Sequence, residues 1–350
     1  MAARMSSDEL TVPREADNRA WSFSAALVDA IFPNIWLWIA STLLLLLDLA
    51  WIAASPRISV SSDSFTWMLV PLGTAFILAS IRHARLPVAA PLLTRITCAG
   101  MVILFVLLTV PALRILNHLL MTLPFPMADG LLASWDETLG FQWLGYARFI
   151  AGNQFMIVPM KHAYLHFYFV IIAVALEALL VGHFSRCQEL LGLILMSAVT
   201  ASLIACLFPA RAAMDYYADE ALRLQFASNA GIFHLKQLMA LRGSDPIIID
   251  PTALAGLSTF PSFHTAAGVL IVYSCRGSSI RLAVGTAYSA IMIASTPLFG
   301  GHYFIDLIAG AALAIAMIML WRMYGKKFDK NALSGHCKEK PIAARCLRAF

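Results

Sequence analysis

Charged residues are scarce in this chain. They make up 13% of its 350 residues, where a soluble domain carries roughly a quarter. That deficit excludes a protein whose whole surface meets water. Cysteine is equally uninformative as a scaffold. Of six cysteines, Cys98, Cys206 and Cys275 fall within or beside apolar runs, and Cys187, Cys337 and Cys346 fall in segments expected on the cytoplasmic side. They read as free thiols, not as a disulfide framework. Internal repeats and low-complexity tracts are not evident. Met1 to about Ala26 is long and mixed in charge, unlike the short basic start of a secretion signal, so insertion is expected to depend on the first apolar run.

Apolar residues fill the space: 60% of the chain, with a mean hydropathy of +0.76. A bilayer crossing takes about 20 such residues. Suitable stretches run approximately 33–54, 65–81, 96–116, 163–182, 190–208, 264–275, 282–298 and 303–322. The expectation is therefore an all-α, polytopic membrane helix bundle of about eight transmembrane helices over 31–325. It is flanked by a cytoplasmic segment 1–30 and a basic cytoplasmic tail 326–350. The sixth stretch is short, and spans only if its helix begins near Pro261 and extends to about Ser279. Arg82, Arg85, Arg95, Arg186, Arg276, Arg281 and the lysine-rich tail all fall on one side of an eight-span chain, which the positive-inside rule makes the cytoplasm. The net charge of +5 is concentrated in that tail. Beside a span it reads as an anchor to the lipid bilayer, not as a nucleic-acid reader.

Two segments break the apolar pattern with chemistry. In Ser295–Asp306, Gly300-Gly301 ends a helix and His302 is expected to start the next. Asp306 lies four residues on, one turn away on the same face. A carboxylate there can take the Nδ1–H of His302 and leave Nε2 free as nucleophile or base; buried in an apolar layer, it needs such a partner. In Phe260–Thr265, Ser262 is a plausible cap and His264 sits in the first turn, where free backbone N–H groups favour phosphate. With one span between them, both helices start at the non-cytoplasmic face. Ser295 and Thr296 arrive there from the seventh span and Arg211 follows the fifth. The long segments 117–162 and 209–260 belong to the same face, and loops of that length are more often functional than idle.

These residues resemble the type 2 phosphatidic acid phosphatase superfamily, and within it the inositolphosphotransferase branch that contains inositol phosphorylceramide synthases. Pro261-Ser262-Phe263-His264 matches a Pro-Ser-x-His element; Ser295, His302 and Asp306 match the spacing of a Ser-Arg-x5-His-x3-Asp element. The wording Gly300-Gly301-His302-Tyr303-Phe304-Ile305-Asp306 is similar to the inositolphosphotransferase branch, and Asp129 and Asp136 resemble it more weakly. The resemblance implies His302 as nucleophile forming a phosphohistidine, Asp306 as its orienter and His264 as proton donor. It implies phosphate contacts from Ser262, Phe263, Ser295, Thr296 and Arg211, a membrane lipid substrate, and no metal or cofactor. Two family cations are absent: Thr296 stands where the arginine of the second element is usual, and a Lys-x6-Arg-Pro element is reduced to Ala201 and Phe208-Pro209. Arg211, or Lys236, would have to replace one of them, or the site would favour a phosphodiester over a phosphomonoester dianion.

Other readings stay open beside this one: a lipid phosphatase transferring to water, a non-enzymatic lipid-binding or transport protein, and a zinc site built from the two histidines and Asp306. His162 and His166 have metal-ligand spacing but also suit an interfacial helix end. Asp48 and Glu177 are intramembrane acids that pair with other helices or act chemically. His234 and Lys236 are candidate head-group contacts.

Overall fold

The computed structural model describes residues 31–61, 70–80, 91–226 and 229–333; the segment 1–30 and the tail beyond 333 lie outside them. The described residues are overwhelmingly helical, because long apolar runs in lipid must satisfy every backbone N–H and C=O within their own segment. In chain order the helices are α1 (Ile35–Ala54), α2 (Val70–Ser80), α3 (Pro91–Met121), α4 (Asp129–Thr138), α5 (Trp143–Gly152), α6 (Gln154–Leu165), α7 (Phe167–Leu180), α8 (Phe184–Ala205), α9 (Ala213–Tyr217), α10 (Glu220–Leu224), α11 (Leu235–Arg242), α12 (Phe263–Ser274), α13 (Ser279–Phe299) and α14 (Phe304–Leu333).

Among the described residues, five helices are long and apolar enough to cross a membrane: α1, α3, α8, α13 and α14. The pair α6–α7, bent by 60° at His166, makes a sixth if taken as one broken span. Each of the eight apolar stretches contains a helix, but eight full crossings are not what the described residues show. The second stretch is described only as the short α2. The sixth begins at Phe263 rather than Pro261 and stops at Ser274 instead of reaching Ser279. Gly277, at φ 88°, turns the chain there, and a new helix starts with the Ser278 hydroxyl as its cap. At about 1.5 Å per residue, the 12 residues of α12 fall short of a bilayer's roughly 30 Å. The last helix also runs on to Leu333, past residue 325, where the tail was expected to begin.

Large apolar side chains face outward along these helices, among them Leu43, Leu46, Leu107, Phe169 and Val284. In water such a surface would aggregate; in lipid it is the solvent-facing side. The interior then depends on close approach and polar links between helices. Ser41 and Thr109 share a hydrogen bond of 2.8 Å between α1 and α3, and the Ser289 hydroxyl donates to the Gly268 carbonyl at 3.0 Å between α13 and α12. One apolar core joins α1, α3, α7, α8 and α12 through residues such as Leu108, Leu119, Leu190 and Leu270. A second, under the long segments, gathers Leu132, Trp143, Ile150, Met214, Leu298 and Tyr303. It is this second core on which the polar cluster sits.

Two three-residue strands, β1 (Ile58–Val60) and β2 (Ile247–Ile249), pair in parallel with Ile58 opposite Ile247. Arg57 reinforces the junction, donating to the carbonyls of Asp245 (2.9 Å), Leu241 (3.2 Å) and Ala240 (3.3 Å). The exit of α1 is thereby fastened to the segment that leads into α12.

Candidate active site

The end of α13 and the start of α14 create the first half of the site. Gly300 caps α13, and Gly301 follows at φ 70°, a left-handed conformation that glycine adopts without strain. A Cβ on Gly301 would also press into the Gly231 carbonyl, so both conformation and space require glycine there. His302 and Tyr303 then precede α14, which opens at Phe304; His302 does not start the helix as expected but stands two residues before it. The i,i+4 relation survives. His302 Nδ1–H donates to Asp306 Oδ2 at 3.2 Å, and the same oxygen accepts the Tyr303 N–H at 3.0 Å. Both side chains are almost completely buried. With Nδ1 committed, Nε2 keeps its lone pair and points toward the Ser262 hydroxyl at a long 3.5 Å. Trp143 holds the other side, its indole N–H donating to the His302 carbonyl at 3.2 Å.

The start of α12 makes the second half. Ser262 is its cap, accepting the Thr265 N–H at 3.3 Å and the Thr265 hydroxyl at 3.2 Å. Its own N–H donates to the Asp306 carbonyl at 2.9 Å. Gly310 lets α14 pass this close, since a Cβ there would collide with the Ser262 carbonyl. His264 follows in the first turn of α12. Its ring stacks on Tyr164 (centroids 4.2 Å apart, planes at 17°), lies 4.1 Å from the Phe167 ring, and meets the His302 ring edge-on at 6.2 Å. The two histidines, far apart in sequence, thus face one small volume where two helices begin.

Sequence reasoning gave less weight to a supporting layer of acids. Asp129 Oδ1 accepts the Tyr303 hydroxyl (2.9 Å) and the Ala212 N–H (3.2 Å), while both its oxygens take the Arg211 N–H at 3.0 Å. Asp136 accepts the Phe304 and Ile305 N–H groups at 2.8 and 2.7 Å, so a side chain on α4 caps α14. Burial raises its carboxyl pKa above the usual value, opposed by those two N–H bonds. The signals for either acid were its presence in a long, aromatic-rich segment and a weak resemblance to the inositolphosphotransferase branch. His234 Nε2–H donates to the Arg211 carbonyl at 2.9 Å and its Nδ1 has no partner. Burial pushes this imidazole down to about 4, opposed mainly by the same bond.

The remaining expected contacts are placed as follows. The Ser295 and Thr296 hydroxyls donate to carbonyls of their own helix, Met292 at 2.5 Å and Ile293 at 2.8 Å. The Arg211 guanidinium pairs with Asp215 at 2.9 Å and is half exposed. Phe263 packs edge-on against Phe167, and Lys236 is exposed. His162 and His166 stack on one another with centroids 5.3 Å apart. Glu177 pairs with Arg281 at 3.2 Å. Asp48 is fully buried, with no hydrogen-bond partner for either oxygen.

A cavity of about 550 Å³ runs between α3, α7 and α8 and reaches His264, Gly300 and His302 at one end. Most of its wall is apolar, including Phe105, Val110, Ile172, Leu191 and Ile194. A site of this kind, two histidines at paired helix starts beneath an apolar chamber, suits an anion carried on an apolar body.

No curated protein and no solved structure matches the chain significantly. The family model of the PAP2 superfamily matches residues 130–320, a range that contains both helix starts, Asp136, His234 and the whole His302–Asp306 turn. More than half of the sequence lies within that match, and the chain belongs to the PAP2 superfamily.

Proposed function

We propose that this protein is an integral membrane enzyme that transfers a phosphoryl unit from a lipid-linked phosphate through a phosphohistidine on His302. The observation that carries the reading is the approach of His264 to within 6.2 Å of His302, ring to ring, with His302 Nδ1 already held by Asp306. Membership of the superfamily supports the general class, a membrane phosphatase or phosphotransferase.

The chemistry follows from which atoms are free. The Nε2 lone pair of His302 attacks phosphorus, and the bond from phosphorus to the leaving oxygen breaks as that oxygen takes a proton from His264. Asp306 stabilises the Nδ1–H that acquires positive character. Ser262 and the first N–H groups of α12 face the developing charge on the phosphoryl oxygens. In the second step His264, now neutral, takes the proton of an incoming hydroxyl, whose oxygen displaces His302 from phosphorus. We propose a lipid hydroxyl as that acceptor and a head-group phosphodiester as donor, as in inositolphosphotransferases. The apolar chamber leading to both histidines favours it, whereas transfer to water gives a phosphatase. The site opens, on this reading, at the non-cytoplasmic face, with both termini in the cytoplasm.

Incubation with lipid labelled at phosphorus should yield a covalent phosphoenzyme that is acid-labile, base-stable and absent in His302→Ala. Undiminished turnover in His302→Ala would refute the mechanism. Chromatography of the labelled products separates the two acceptors: free phosphate alone excludes head-group transfer.

A further inference from the structure

Arg114 of α3 lines the chamber together with His264 and His302, and among the described residues of that wall there is no other arginine and no aspartate, glutamate or lysine. Charge inside a membrane protein is costly unless it is partnered, and Arg114 is only half partnered. One guanidinium N–H donates to the Leu254 carbonyl at 2.8 Å and the group lies 5.4 Å from the Tyr168 ring. Its Nε–H is buried with no acceptor, and among the described residues no carboxylate forms an ion pair with it. The other cation expected near the site, Arg211, is already neutralised by Asp215.

Depth places Arg114 correctly for a head group. Arg95, nineteen residues earlier on α3, donates to the Leu180 carbonyl at the opposite end of the bundle. Nineteen residues of helix rise about 28 Å, close to one hydrocarbon thickness. Arg114 therefore stands near the level where the apolar layer ends and the two histidines begin. Its neighbours on the same face of α3 are fixed onto the segment entering α12. Asn117 accepts the Leu257 N–H at 3.0 Å and donates to the Ser258 hydroxyl. The His118 ring hydrogen-bonds the Gln237 side-chain oxygen at 3.2 Å, which also accepts the Ala255 N–H at 2.9 Å.

From these contacts we infer that Arg114 is the anion-recognition residue of a lipid-binding site. It pairs with the phosphate of a membrane lipid whose acyl chain lies in the chamber toward Ile194 and Leu191. The inference deepens the proposed function by naming what the chamber selects: an anionic phospholipid with a long chain, not a soluble phosphate ester. A fork of donors is suited to a phosphate's oxygens, and the apolar wall accounts for the chain.

The test is binding, measured on the His302→Ala protein in neutral-lipid nanodiscs so that turnover does not enter. The probe is a fluorescent long-chain phosphatidate. Arg114→Gln should weaken it at least tenfold and Arg114→Lys no more than threefold, with affinity for the uncharged long-chain diacylglycerol changed less than twofold in either. Ile194→Trp, which fills the apolar end, should weaken an 18-carbon phosphatidate at least fivefold and an 8-carbon one less than twofold. Millimolar inorganic phosphate should not displace the probe; displacement would assign the site to free phosphate and overturn the lipid assignment. Equal phosphatidate affinity in Arg114→Gln and its parent overturns the inference. Should Arg114→Gln not fold, Ile194→Trp decides, and loss of the chain-length difference is fatal. Arg114-dependent binding together with no turnover by the wild-type protein would sink the proposed reaction alone; wild-type turnover with binding independent of Arg114 would sink this inference alone.

Discussion

Asp136 lies outside both sequence elements, yet its removal should disable the site. Its two oxygens take the N–H groups of Phe304 and Ile305 at 2.8 and 2.7 Å, two of the four donors that the start of a helix leaves without internal partners. In Asp136→Ala both lose a charged acceptor in a buried place. Hydrogen bonds to charged groups are worth about 1.5–3 kcal/mol each, and measured cap deletions about 1 kcal/mol, so a total of roughly 2–4 kcal/mol is expected. Asp136→Asn keeps one acceptor and should lose about half. At about 2 °C per kcal/mol for a chain of this size, the alanine variant should unfold roughly 4–8 °C lower in detergent. The first turn of α14 also carries Asp306, and a frayed turn releases the 3.2 Å bond to His302. Loss of that charge-assisted bond costs about 1.5–3 kcal/mol, a drop of roughly 10- to 150-fold in kcat. The assay pairs intrinsic tryptophan fluorescence melting with the rate of phosphoenzyme formation. Asp219→Ala is the comparison, because Asp219 caps the exposed α10 by the same kind of bond at 2.8 Å and should leave the rate unchanged. A kcat for Asp136→Ala within twofold of wild type, or a melting shift no larger than that of Asp219→Ala, would refute the reasoning.

Two further outcomes follow from other parts of the site. His234 is held neutral, with a folded pKa of about 4 against 6.5, so the unfolded chain binds the extra proton between those values. Stability should be full above pH 6.5 and fall as the pH drops toward 4, by up to about 3 kcal/mol. His234→Gln should flatten that slope in pH-dependent melting, and an unchanged slope would remove His234 as its cause. Gly301→Ala forces a Cβ into the Gly231 carbonyl at φ 70°, a clash and a left-handed strain each worth about 1–3 kcal/mol. It should cut phosphoenzyme formation at least 100-fold, whereas Gly152→Ala, which meets nothing within 4 Å, should be silent; equal rates in the two would contradict the geometry.

Much of this arrangement is legible in the sequence. Apolar runs locate lipid-facing helices because nothing else satisfies backbone polar groups in hydrocarbon. The His302–Asp306 pair was readable because four residues make one turn, and His264 because a capped helix start announces itself locally. The 60° bend at His166 was not readable beyond the interfacial helix end that His162 and His166 suggest, since no proline stands at the break. Nor was the early end of α12, since the residues from Cys275 to Ser278 look as compatible with a helix as with the turn they form. Asp129 and Asp136 escaped assignment for another reason. Their partners are backbone N–H groups and the Tyr303 hydroxyl, 82 to 174 residues away, which leave no spacing to recognise. Arg114 was missed similarly, because a single cation within a long apolar run carries no periodic signal until its surroundings are known.

The pairing of β1 with β2 reaches beyond the region that carries the family's signature. Residues 58–60 are held to 247–249 through main-chain groups, and Ile58 and Ile249 seat the pair in the apolar core. A shortened protein beginning near residue 130 would preserve every recognisable motif and discard this clasp, along with the α3 helix that braces the approach to Ser262. Residues 130–320, expressed alone, are therefore expected to fold less stably than the full chain. A short, undistinctive stretch of the chain thus braces the segment that leads into its most distinctive one.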